Sequence, residues 1–126
     1  MKNPPLLARV RHAADGFAAA LGRERNFRIQ LVLGCVAIAV TLALDPPLVW
    51  TALVVVMTGA VLAAELINTA LEHALDAAHP ASSPLVKIAK DCSAAAVLVL
   101  CVAAVAVFAL MILAVMHGNW ECARAA

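Results

Sequence analysis

Glu65, Asn68, Glu72 and Asp76 stand at i, i+3, i+7 and i+11, a spacing that lines all four along one face of an α-helix. Carboxylates and an amide in such a row suit a divalent cation. Mg²⁺ prefers oxygen ligands and usually combines one or two carboxylates with phosphate oxygens and water. Glu24 could supply another carboxylate, and Lys90 could meet phosphates as a point charge. These are the parts that phosphoryl transfer needs: metal-bridged phosphates, a positive group, and a carboxylate that orients or deprotonates the attacking hydroxyl. Neither a Walker A pattern nor G-x-G-x-x-G occurs in the chain. From the residues alone, ATP binding is therefore one option among several.

The row belongs to a helix that must also cross a membrane. Residues 48–64 are apolar, and Glu65 follows directly. That puts Glu65 at or just inside the membrane boundary, where an ionisable group is costly and marks function by default. The plainer alternative is a carboxylate reaching the interface from a helix end, and three further polar residues on the same face weaken it. The pattern predicts one helix over 48–78, extending past the membrane into the cytoplasm and stopped by His79-Pro80. Ser82, Ser83 and Pro84 mark the loop that follows.

Two other apolar runs complete the set. Residues 29–44 hold only Gln30 as a strongly polar side chain, and Asp45-Pro46-Pro47 ends that helix in a tight turn. Residues 94–116 are free of charge and long enough to cross about 30 Å of hydrocarbon. Gly118-Asn119 ends this run, and Trp120 suits the membrane interface. Ahead of them, Pro4 and Pro5 make a suitable helix start. Leu6, Leu7, Val10, Ala14, Phe17 and Leu21 then recur at helical spacing, with Arg9, Arg11, His12 and Asp15 largely between them. Residues 6–22 are predicted to form an amphipathic helix lying along the membrane surface. The first apolar run begins too late and runs too long for a cleaved signal peptide, so it is expected to remain in the mature protein.

Composition agrees. The 126 residues are 65% apolar and 13% charged, against roughly 45–50% and about 25% in soluble domains. A soluble fold this small could not bury so much apolar surface. The reading is an all-α membrane protein: a single membrane domain over residues 1–126, with three transmembrane helices and an N-terminal surface helix. Six of the nine Lys/Arg fall in the first 28 residues, and none lies between Ile29 and Val86. The basic cluster beside an apolar segment suits anionic headgroups, not nucleic acid. Positive-inside reasoning puts the N-terminus and the 77–92 loop, with Lys87 and Lys90, in the cytoplasm. The turn at Asp45 and the C-terminus then face outward.

The remaining chemistry-bearing residues have no arrangement. Cys35, Cys92, Cys101 and Cys122 form no C-x-x-C pair and read as small apolar fillers. His12, His73, His79 and His117 have no metal-ligand spacing.

Glu65-Leu66-Ile67-Asn68-Thr69-Ala70-Leu71-Glu72, then Ala89-Lys90-Asp91 and Ala94-Ala95-Ala96-Val97-Leu98, resembles the signature of the bacterial diacylglycerol kinase/undecaprenol kinase family. Upstream, Glu24-Arg25-Asn26-Phe27-Arg28-Ile29 resembles it too. The likeness runs from the surface helix through the third span, with separated motifs in matching order and spacing. It implies a homotrimer with three spans per subunit, sites shared between neighbouring subunits, and ATP–Mg²⁺ as phosphate donor. By the same likeness, Glu65 is the catalytic base acting on a lipid hydroxyl. Glu24 and Glu72 hold the metal, Asn68 lies near the transferring phosphate, and Lys90 and Asp91 engage the nucleotide. The Arg25–Ile29 stretch looks more like the undecaprenol branch than the diacylglycerol branch. Gln30, however, replaces a His common there, and Ser93-Ala94 differs from the Gly-Ser of the best-known diacylglycerol enzymes.

The expectation is ATP- and Mg²⁺-dependent phosphorylation of a membrane lipid alcohol, undecaprenol ahead of diacylglycerol, at the cytoplasmic face of a bacterial inner membrane. A transporter or channel using Glu65 as an ion or proton site is the alternative. That reading needs Glu65 to be reachable from both sides, yet the outer halves of the three spans offer no further charged residue. A structural subunit whose carboxylates merely face the cytosol is a third.

Overall fold

A computed structural model describes residues 5–79 and 83–118 of the chain. The expectations for Pro4, for the Pro80 and Ser82 stop signals, and for Asn119, Trp120 and Cys122 lie outside these residues. Four helices follow one another: α1 (Leu6–Arg23), α2 (Arg25–Leu44), α3 (Leu48–Ala78) and α4 (Pro84–Met116). α4 packs most extensively on α3, α2 also packs on α3, and α1 touches both α2 and α3 lightly.

One extended residue, Glu24, separates α1 from α2. Two contacts hold this corner. Arg28 Nη1 donates to the carbonyls of Leu21 and Gly22, each at 3.2 Å, giving the unsatisfied end of α1 both partners and a favourable charge. Phe17 meets Phe27 edge to face, ring centroids 5.1 Å apart, and Phe27 is fully buried. The corner therefore positions Glu24 as a consequence of packing.

α2 begins four residues before the apolar run that marks its span. α4 begins ten residues before its own. The reason is local: Ser83 Oγ accepts from the Val86 amide, and Pro84 occupies the first turn, where a missing N–H costs nothing. Lys87 and Asp91 then pair at 2.7 Å across one turn. Hydropathy marks where a helix enters hydrocarbon, and capping marks where it starts. Between α2 and α3, Asp45 takes the left-handed conformation (φ 45°) ahead of two prolines, a geometry that Asp tolerates better than most residues.

α2, α3 and α4 are each long and apolar enough to cross a membrane. At most 17% of the residues in their most apolar stretches are buried within the chain, so much of that surface faces outward. At about 1.5 Å per residue, α3 is roughly 46 Å long and outruns the hydrocarbon core by several turns. The polar row lies on the excess.

α2 and α3 approach closely at Gly34. A Cβ there would collide with Thr58 Cγ2, and a β-branched side chain in a helix has little freedom to swing away. Gly34→Ala is expected to cost about 1–3 kcal/mol of stability, read as a lower unfolding temperature in detergent. Thr58→Ser, which lacks the offending methyl, should restore most of the loss in the double variant.

Candidate active site

Along α3 the polar residues reach different neighbours. Glu65 is 5% exposed, and its Oε2 accepts a hydrogen bond from Gln30 Nε2 of α2 at 3.2 Å. One turn on, Asn68 donates from Nδ2 to Glu72 Oε1 at 3.1 Å. Asn68 Oδ1 accepts from Ser93 Oγ of α4 at 2.6 Å, with the Lys90 carbonyl a second acceptor for Ser93 at 2.9 Å. Asp76, further along, forms an ion pair with Lys90. Burial falls steadily from Glu65 through half-buried Asn68 and Glu72 to exposed Asp76. The row thus runs from a dry end between α2 and α3 to a wet end between α3 and α4.

Glu24 and Asp91 stand apart from this row. Glu24 Oε1 lies 4.0 Å from His73 Nε2, and His73 Nδ1 contacts the Thr69 carbonyl at 2.8 Å. Asp91 turns to Lys87 on its own helix, ahead of the apolar part of α4. The Asp91 hydrogen bond, followed by its charge, holds the Lys87 ammonium above its usual value. Among the described residues, no three His, Cys, Asp or Glu side chains come together as a metal-holding group.

Two cavities flank the row. A groove of about 430 Å³ between α2, α3 and α4 is lined by Gln30, Gly34, Thr58, Val61, Cys101 and Phe108, among others, and is almost wholly apolar beyond Gln30. It follows α2 from Gln30 to Val40, about 15 Å at helical rise. The second, about 470 Å³, lies between α1 and α3 and includes Glu24, Thr69 and His73 in its walls. The buried carboxylate is thus tied to the polar end of a hydrocarbon-sized groove, and the polar row leads away from it to the surface.

A family model for prokaryotic diacylglycerol kinase matches residues 11–113. The chain belongs to this family. The match takes in α2, α3 and nearly all of α4, with every residue named above as a site candidate. A diacylglycerol kinase of Synechocystis sp. is 39% identical over 82% of this chain and 60% of its own length. An undecaprenol kinase of Bacillus subtilis is 31% identical over 72% of this chain and 74% of its own. The family is one of lipid kinases, and the carboxylate row of α3 lies within its matched span.

Gln30 and Ser93 contact the polar row without having been candidates in the sequence. Gln30 left one signal, as the strongly polar side chain of an otherwise apolar span. Ser93 left none, because only the packing of α4 on α3 brings it to Asn68.

Proposed function

We propose that this protein phosphorylates a membrane lipid alcohol from ATP with Mg²⁺. The observation that carries the reading is the buried Glu65 carboxylate, hydrogen-bonded to Gln30 at the polar end of the apolar groove. A lipid alcohol has the matching anatomy, with a hydrocarbon chain for the groove and one hydroxyl for the carboxylate. Glu65 takes the hydroxyl proton as the alcohol oxygen attacks the γ-phosphorus and ADP leaves. Asn68, held between Ser93 and Glu72, presents its amide to the transferring phosphate. Lys90 and Asp91 bind the nucleotide.

The donor set suits Mg²⁺. Glu24 and Glu72 offer two carboxylates, the number this ion usually takes from protein when phosphate oxygens complete its shell. Glu24 and Glu72 would hold it, and the charge developing on the phosphates would be neutralised by the bound ion. Chelation by EDTA should therefore abolish transfer, and added Mg²⁺ should restore it.

Membrane placement follows the same reading. Leu6 and Leu7 of α1 are 76% and 80% exposed, which suits an amphipathic helix resting on the cytoplasmic surface of a bacterial inner membrane. The outward apolar faces of α2–α4 supply surface for a homotrimer. In a homotrimer, Glu24 and Lys90 of one subunit can serve the Glu65 of another. The motif Arg25–Ile29 favours undecaprenol, while the 39% identical relative carries the diacylglycerol name. The test is label transfer from γ-labelled ATP in mixed micelles containing each lipid in turn. Transfer to neither of these lipids, nor to any other lipid alcohol, would sink the kinase reading and revive the ion-site alternative for Glu65.

A further inference from the structure

Gln30 is half-buried, and its two polar atoms have different fates. Nε2 donates to Glu65 Oε2. Oε1 is buried with no hydrogen-bond partner among the described residues. A buried acceptor left without a donor is destabilising, and native folds keep few of them. The same side chain lines one end of the apolar groove. Beyond it, the groove walls present almost entirely hydrocarbon, so the occupant that brings a donor to this end also brings an apolar body. A lipid alcohol does both, and its single O–H is the donor.

We propose that Gln30 positions the lipid hydroxyl for Glu65, Oε1 accepting the incoming O–H while Nε2 fixes the carboxylate beside it. This rests on the kinase reading above. The carboxamide suits the task because it both donates and accepts within one rigid plane. The alcohol first docks on Oε1, and its proton then turns to Glu65. As the alcohol oxygen bonds to the γ-phosphorus, the bond from phosphorus to the β–γ bridging oxygen breaks. ADP leaves, and the proton stays on Glu65. Gln30 exchanges neither proton nor electron pair.

Gln30→Met keeps the volume and removes both hydrogen-bonding atoms. Its kcat/KM for the lipid should fall by at least about 2–10-fold, the worth of the one neutral hydrogen bond to the lipid hydroxyl, with KM for ATP unchanged. Its unfolding temperature in lipid-free detergent combines two opposed changes, loss of the orphan acceptor and loss of the donor to the buried Glu65 carboxylate, so the lipid-selective kinetic loss carries the test. A merely structural Gln30 predicts losses shared by both substrates. Binding is read separately as the thermal shift given by undecaprenol, by dioleoylglycerol, and by the O-methyl ether of each. In the wild type the alcohol should shift more than its ether, and in Gln30→Met most of that difference should vanish. A Gln30→Met enzyme with wild-type lipid kcat/KM, or equal shifts from alcohol and ether in the wild type, overturns the proposal. If the wild type transfers no phosphate at all, the kinase reading fails alone, and the shift comparison still decides Gln30.

Discussion

Glu65→Gln is expected to lower the rate of phosphate transfer to the lipid by about 10²–10⁴-fold, the usual worth of a positioned general base. The substitution is chosen to leave everything else in place. Glutamine has the same length and still offers a carbonyl oxygen to Gln30 Nε2, which now contacts Glu65 at 3.2 Å. It also removes a charge from a side chain that is 5% exposed. Burying a charge is more costly than burying an amide, so stability should hold or rise. Single-turnover transfer of the γ-phosphate in mixed micelles is the measurement, with unfolding temperature and oligomeric state as controls. KM for ATP should stay near wild type, since the nucleotide side of the row is untouched. Wild-type turnover by Glu65→Gln would make the base assignment wrong and leave Glu65 as an ion site or a structural carboxylate.

What the sequence revealed and what it concealed divide along one physical line. Helical periodicity is local, so the spacing of Glu65, Asn68, Glu72 and Asp76 alone puts them on one face of α3. The same locality gave the bounds of α3, where prolines stand at both ends. Pairings between helices are not local. Gln30 meets Glu65 across 35 positions and Ser93 meets Asn68 across 25, and nothing in either stretch encodes which turn faces which. α4 shows a middle case. Its apolar run is plain in the sequence, yet its first ten residues are not, because a Ser cap and a Pro in the first turn do not register as hydropathy. Family likeness reached Glu24 and Glu72 as a pair. Within the one chain, though, the contact drawn by Glu24 is His73.

Lys90→Met should lower kcat/KM for ATP by about 10–100-fold, corresponding to the roughly 1.5–3 kcal/mol of a hydrogen bond to a charged group. In the structure Lys90 pairs with Asp76 across α3 and α4, its side chain 31% exposed and that of Asp76 65% exposed. So exposed a pair contributes only about 0–1 kcal/mol, and losing it should move the unfolding temperature little. The large effect on ATP and the small effect on stability are therefore separable in one variant. Lys90 must leave Asp76 to meet a phosphate, so the carboxylate competes with the nucleotide for the ammonium. Asp76→Asn releases that competition, and its KM for ATP should be equal to or lower than the wild-type value. Asp91 cannot take over the role of holding Lys90, because it is already paired with Lys87. The two variants are expected to diverge in KM for ATP at constant lipid. Parallel losses, scaling with unfolding temperature, would instead make the Lys90–Asp76 pair a clamp between α3 and α4 and remove Lys90 from the nucleotide site.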